Sequence, residues 1–134
     1  MGNVIDVEGI GKVHAGKLIA GGVATTSALL KQGASRDGRK KLAASSDISD
    51  TLILKWVNHV DLFRIKGVAT QYAELLEAAG VDSVPELAQR DPKNLYSKLG
   101  EVNAVKKLVR KLPTATLVAD WVSQAKSLPR VVTH

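Results

Sequence analysis

The sequence contains no cysteine, and only five of its 134 residues are Phe, Trp or Tyr. The lack of cysteine excludes disulfides and thiolate metal sites. Few aromatic residues argue against a protein that stacks single-stranded bases, which needs exposed rings. No apolar run approaches the ~18 residues of a membrane span, and no signal peptide pattern is visible at the N-terminus. We therefore expect a cytoplasmic protein with no membrane partner.

The chain is basic and has enough apolar residues for a core. It carries 19 Lys and Arg against 13 Asp and Glu, a net charge of +6, and 45% of its residues are hydrophobic. The basic excess favours contact with polyanions such as nucleic acid or acidic proteins. A solvated surface with a modest basic excess gives the same composition, so charge alone leaves both interpretations open.

One short pattern occurs twice. Residues 7–11 read apolar, charged, Gly, apolar, small, and the same classes recur 58 positions later at residues 65–69. Towards the end of each copy, the offset between matching residues is larger, because Trp56 corresponds to Trp121. The second copy is therefore longer by seven or eight residues. We predict two tandem repeats in one compact unit, 1–61 and 62–134, packed with pseudo-twofold symmetry.

Helical periodicity and end signals predict an all-α protein of about eight short helices. Apolar residues around each tryptophan are spaced by four, four and three, which is one face of a helix. Ser, Thr and Asp stand where helices are expected to begin, and Gly22 and Gly80 where two end. The predicted N-caps are Ser35, Ser49, Ser83, Asp91 and Thr114. The run from Val4 to Val7 is compatible with extended backbone, but no hairpin signal supports a sheet.

Each repeated turn resembles the helix-hairpin-helix motif: an apolar helix end, Gly-apolar-Gly, and a helix with Ala four residues later. Gly9-Ile10-Gly11 with Ala15 matches well, whereas Gly67-Val68-Ala69 lacks the second glycine. Glycines allow a sharp turn that approaches a phosphate closely. The following helix directs its N–H groups and positive dipole end at that phosphate. The middle residue, Ile10 or Val68, is expected to pack inward.

Basic residues extend these candidate sites. Arg36 and Lys40 are expected to share one helix face, as are Lys106 and Arg110, and such faces contact a phosphate backbone without reading sequence. The candidate nucleic-acid-binding residues are Gly9, Ile10, Gly11, Lys12, Lys17, Arg36, Arg39, Lys40, Arg64, Lys66, Gly67, Val68, Ala69, Thr70, Lys106 and Arg110.

The chain from about residue 3 to its end also resembles an uncharacterised bacterial family, domain of unknown function 4332. The segments that carry the resemblance are residues 7–11, 52–58, 61–68, 75–81 and 128–132. The resemblance implies a tandem helix-hairpin-helix fold and implies little about activity.

No enzyme motif is complete. Residues 11–18 read G-x-x-x-x-G-K-L, in which Leu18 replaces the Ser or Thr that holds magnesium in a phosphate-binding loop. His14, His59 and His134 lack metal-ligand spacing, and His59 is expected to be a partly exposed helix residue. We expect no catalytic activity, no cofactor and no metal.

Two functions follow from these patterns. The first is sequence-nonspecific nucleic-acid binding, with double-stranded DNA as the ligand, through the backbone amides of both turns and the flanking Lys and Arg. The second is a protein-interaction or scaffold module, with a protein partner or a second copy of the chain, in which the turns only pack helices. Ala69 and Glu8 favour the second, because both weaken a phosphate site.

Overall fold

A computed structural model describes residues 2–7 and 9–133, and in this part of the chain the fold is all-α with no strand. The predicted fold class is therefore confirmed. A 3₁₀ helix at Val4–Asp6 precedes eight α-helices. These are α1 (Gly11–Ala20), α2 (Thr26–Gly33), α3 (Arg36–Ser46), α4 (Asp50–Leu62), α5 (Thr70–Ala78), α6 (Val84–Ala88), α7 (Pro92–Lys106) and α8 (Ala115–Ser127). Glu8, whose carboxylate is expected to weaken a phosphate site, lies outside the described residues.

The run from Val4 to Val7 is not extended as a whole, because Val4–Asp6 form the 3₁₀ helix and only Val7 has extended backbone. The Val7 amide donates to the Val4 carbonyl at 3.2 Å, and both side chains are buried. Asp6 accepts the Asn3 amide at 3.1 Å, which stabilises the tight turn. A short run of β-branched residues resembles a strand in sequence, but here the tight turn buries Val4 and Val7.

The predicted helix ends are confirmed. Side-chain oxygens at all five predicted N-caps accept first-turn amides, and Thr25 caps α2 in the same way. Gly22 and Gly80 have φ values of +91° and +95°, the left-handed conformation that ends a helix at little cost in glycine.

The chain divides into two compact units. Unit 1 comprises Met1–Asp61 with Val131–His134, and unit 2 comprises Leu62–Arg130. The C-terminal residues thus belong to unit 1, whereas the sequence assigns them to the second repeat. The predicted repeat boundaries and their pseudo-twofold packing remain predictions.

In unit 1, α3 packs against α1 and α2. Trp56 is buried, and its ring lies 5.1 Å from that of His14. His59 is fully buried in α4, so the expectation of partial exposure is wrong. The C-terminal segment is held by Thr133, whose amide donates to the Ala34 carbonyl at 2.8 Å. Neighbouring Val132 is buried.

In unit 2, α8 packs against α6 and α7, and α5 packs against α7. One buried apolar cluster unites these helices around Trp121, whose ring lies 5.3 Å from that of Tyr72. Among the residues that the structure describes, no helix combines the length and apolar character that crossing a bilayer requires.

The predicted helical face shared by Lys106 and Arg110 is wrong. Helix α7 ends at Lys106, and Lys107 takes a left-handed conformation with φ of +51°. Its amide donates to the Asn103 carbonyl at 2.8 Å, which closes the last turn. Pro113 follows, and proline disfavours helical backbone at the residue before it. Arg110 therefore lies on an irregular segment between α7 and α8.

Candidate nucleic-acid interface

The first repeated turn places two glycines in the left-handed region around a buried Ile10. Gly9 and Gly11 have φ values of +89° and +71°, which disfavour other residues. Ile10 is buried as predicted, and its amide donates to the Val7 carbonyl at 3.2 Å. Nothing lies within 4 Å of where a Cβ would stand on either glycine. Apart from the neighbouring residues in the chain, no described residue fills the space next to these two glycines.

The second turn repeats this arrangement with one difference. Gly67 has φ of +96°, and Val68 is buried, with its amide donating to the Ile65 carbonyl at 3.1 Å. Ala69 is extended, with φ of −111°. Position 69 therefore does not need the glycine that Gly11 supplies in the first turn, and alanine fits there without backbone strain.

The two helices that follow the glycine turns begin without side-chain caps. Among the described residues, α1 and α5 have Ile10 and Ala69 as N-caps, neither of which offers a side-chain oxygen. In each of the other six α-helices, a first-turn amide donates to the side-chain oxygen of a Ser, Thr or Asp at the N-cap. Helix N-termini need acceptors for their first amides, and a phosphate oxygen can supply one.

The lysines of the first turn differ in availability. Lys12 is exposed at the start of α1. Lys17, one turn further along, lies with Nζ 3.9 Å from the Asp47 carboxylate and 3.4 Å from its carbonyl oxygen. Lys12 is therefore the better placed of the two to meet a phosphate.

At the second turn, two predicted site residues are held by other parts of unit 2. Arg64 donates from Nη2 to the Pro129 carbonyl at 2.6 Å. The Lys66 peptide is held by Gln124, whose Oε1 accepts its amide at 2.8 Å and whose Nε2 donates to its carbonyl at 3.1 Å. The Lys66 side chain remains exposed.

Arg39 is largely buried, so little of its side chain is available at the surface, although it lines a recess together with its neighbours on α3. It is only 5% exposed. Nη1 donates to the Gly33 and Ala34 carbonyls at 2.9 and 3.2 Å, and Nη2 donates to that of Thr133 at 2.8 Å. This guanidinium ties the α2–α3 junction to the C-terminal segment.

The other two basic residues of α3 lie at the surface. Arg36 and Lys40 are exposed and line a recess of about 300 Å³. Arg39, Asp50, Thr51 and Leu54 complete its lining. The carboxylate of Asp50 offsets part of their positive charge there. This recess is less favourable to an anion than the sequence suggests.

Unit 2 contains a larger cleft, of about 870 Å³, between the second turn and the irregular segment after α7. One wall is the turn with the start of α5, and the other is residues 107–111. Four of the predicted nucleic-acid-binding residues line this cleft, namely Gly67, Ala69, Thr70 and Arg110, whereas Lys106 does not line it. The lining residues are Gly67, Ala69, Thr70, Gln71, Tyr72, Lys107, Leu108, Val109, Arg110 and Lys111.

Side chains fix the basic wall of the cleft in place. Asn103 pairs with both main-chain groups of Val109: its Oδ1 accepts the amide and its Nδ2 donates to the carbonyl, each at 3.0 Å. The Tyr72 hydroxyl donates to the Lys111 carbonyl at 3.0 Å. Sequence reasoning missed these anchors, because a single Asn or Tyr within a helix carries no periodic signal.

The charges along the cleft are of one sign. Lys107, Arg110 and Lys111 are exposed on the basic wall, and the start of α5 adds the positive end of a helix dipole. The described residues that line the cleft include no Asp or Glu. Among the described residues, no three His, Asp or Glu side chains group as metal ligands. The arrangement suits an anion bound by amides and cations.

Replacing Gly67 by alanine is expected to destabilise unit 2 by about 1–3 kcal/mol, measured as the free energy of unfolding in urea. The positive φ disfavours a Cβ, and that atom would lie 3.1 Å from Trp121 Nε1. Gly100→Ala is the matched control, since nothing lies near its Cβ position within α7. It is expected to raise stability by up to about 1 kcal/mol. Equal effects at both positions would contradict a left-handed requirement at Gly67.

A protein-family model described as Domain of unknown function (DUF4332) matches residues 8–128, and the chain belongs to that family. No match was found among curated proteins or among solved structures. The helix-hairpin-helix identity of the two turns remains a prediction.

Proposed function

We propose that this member of the DUF4332 family binds double-stranded DNA without sequence preference, through phosphates held by its two glycine turns. The observation that carries the proposal is the cleft of unit 2. In this cleft of about 870 Å³, the start of α5 forms one wall. The other wall carries the three exposed cations Lys107, Arg110 and Lys111. Amides at a helix start and cationic side chains are the groups that bind phosphate oxygens in proteins.

The absence of caps at the helices that follow the turns supports the same function. In the described residues, α1 and α5 are the helices whose N-caps lack a side-chain oxygen. A backbone phosphate would act as the missing acceptor at each helix start. Main-chain amides and Lys or Arg contact phosphate whatever the base, so this mode of binding carries no sequence information.

A scaffold module is the second candidate, because α8 packs on the back of the second turn. Gln124 holds the Lys66 peptide. A Cβ on Gly67 would lie 3.1 Å from Trp121 Nε1. These contacts account for the tight turn without any ligand. They do not account for the three cations on the facing wall, which a packing role leaves unused.

Duplex affinity is expected to fall steeply with salt. If four cations contact phosphates, log K should decrease against log salt with a slope of about −3.6, since each contact contributes about −0.9. The candidates are Lys12, Lys107, Arg110 and Lys111. Fluorescence anisotropy with a labelled duplex, titrated from about 50 to 200 mM salt, measures this slope.

Two controls make the titration decisive. A second duplex of unrelated sequence should bind within about twofold, because phosphate contacts do not distinguish bases. Undetectable binding at about 50 mM salt would eliminate the proposed function. A slope near zero would indicate binding through uncharged contacts, and would equally contradict it.

A further inference from the structure

The two glycine turns differ in the charge and space they offer. The first is open, with nothing within 4 Å of the Cβ positions of Gly9 and Gly11, and Lys12 is its exposed cation. The second faces a wall that carries Lys107, Arg110 and Lys111. A ligand at the second turn therefore meets cations on one side and the start of α5 on the other.

This concentration of positive charge exceeds what one phosphodiester requires. A phosphodiester carries a single negative charge, whereas a phosphate monoester carries roughly −1.5 to −2 near neutral pH. The monoester also presents three terminal oxygens, so that several donors can bind it at once. Three cations and a helix start around one cleft match the monoester better.

The cleft is built before any ligand arrives. Asn103 holds both main-chain groups of Val109, and the Tyr72 hydroxyl holds the Lys111 carbonyl. On the opposite wall, Gln124 holds the Lys66 peptide in the same two-point manner. Walls held in this way lower the ordering cost of binding, because hydrogen bonds already hold the main chain of the cationic segment at Val109 and Lys111.

A buried donor lies close to the glycine of the second turn. Trp121 is fully buried, and its Nε1 has no hydrogen-bond partner among the described residues. A Cβ placed on Gly67, which lines the cleft, would lie 3.1 Å from this atom. Buried polar atoms are normally paired, so this N–H is an unused donor beside the turn.

The cleft is also larger than a phosphate needs and is partly apolar. Its volume of about 870 Å³ is in the range of sites that enclose a whole small molecule. Leu108 and Val109 contribute apolar surface between the cations. A sugar and base attached to the phosphate would contact this surface, whereas inorganic phosphate would leave it unused.

We infer that the unit 2 cleft binds a phosphate monoester attached to a nucleoside, as at the phosphorylated end of a nucleic-acid strand. This inference rests on the proposed function for its ligand class, and it goes further by separating the roles of the turns. The first turn meets internal phosphodiesters, and the second also accepts them but binds a terminal phosphate more tightly. A free mononucleotide has the same chemistry and is the other source of such a ligand.

The experiment compares DNA stem-loops that have one open end and carry a 5′-phosphate, a 3′-phosphate or no terminal phosphate. Anisotropy of a dye in the loop measures affinity for the unaltered protein. One of the phosphorylated stem-loops is expected to bind about tenfold tighter than the unphosphorylated one. This preference should vanish in Lys107→Gln with Arg110→Gln. It should persist in the matched control Lys93→Gln with Lys98→Gln, whose lysines are exposed on α7 away from the cleft.

Each alternative outcome decides one question. Equal affinity for all three stem-loops would overturn this inference and leave the proposed function standing. Binding of adenosine 5′-monophosphate, lost in the cleft variant, with no binding of any stem-loop would retain a nucleoside monophosphate as the ligand of the cleft. It would overturn the proposed function and the assignment of the cleft to a strand end. If inorganic phosphate competes as strongly as the mononucleotide does, the inference that the cleft recognises the nucleoside would be overturned. No binding of any probe would overturn both.

Discussion

Duplex DNA binding is expected to weaken roughly 30- to 160-fold when Lys107 and Arg110 are both replaced by glutamate. Each reversal removes a cation from the cleft wall and places a carboxylate against phosphate, at a cost of about 1–1.5 kcal/mol. Both side chains are exposed, so the fold should tolerate the change. Anisotropy at about 100 mM salt measures the affinity, and circular dichroism verifies the helical content.

The matched control is the pair Lys93→Glu and Lys98→Glu. Both lysines are exposed on α7 in the same unit and do not line the cleft. This variant has the same net charge, so a loss that came only from long-range repulsion would appear in both. A loss of similar size in the control would contradict a phosphate site in the cleft. Unchanged binding in the cleft variant would favour the scaffold function.

Replacement of Arg39 by methionine is expected to lower the free energy of unfolding by about 3 kcal/mol. Methionine keeps the aliphatic stem, so the change removes the guanidinium and its bonds to three carbonyls. Hydrogen bonds from a charged donor contribute about 1.5–3 kcal/mol each, and buried acceptors left unpaired cost more. Burial and then Arg36 lower the pKa of the Arg39 guanidinium, while Asp50 raises it. Arginine nevertheless stays charged over the accessible pH range.

Urea unfolding followed by circular dichroism measures this effect. Arg36→Met and Lys40→Met are the matched controls, because both side chains are exposed on the same helix. Surface changes of this kind usually alter stability by less than about 0.5 kcal/mol. Should Arg39→Met fall in that range, the guanidinium would not be the link between the α2–α3 junction and the C-terminal segment.

Much of the fold was predictable because its signals are local. A Ser, Thr or Asp cap acts on amides two or three residues away, so Ser35 and Asp91 could be identified from sequence. Positive φ at Gly9 and Gly67 follows from a turn that only glycine adopts easily. The inward packing of Ile10 and Val68 follows from the same short pattern.

The site was less predictable, because its parts are distant in sequence. Tyr72 and Lys111 are joined by a hydrogen bond across the cleft, and no periodicity links them. Asn103 holds Val109 only because α7 ends at Lys106. The sequence contained the same basic residues, but a helical reading of residues 106–110 gave them the wrong arrangement.

The sequence by itself determined the all-α class, the helix caps and the two glycine turns, since each depends on neighbours a few residues apart. Only the tertiary structure decided which cations are available. Arg36 and Arg39 are the same residue type on one helix, yet packing exposes the first and buries the second against carbonyls as far away as Thr133. Packing likewise placed residues 107–111 opposite the second turn. Long-range contacts of this kind depend on how helices pack, which local patterns do not encode.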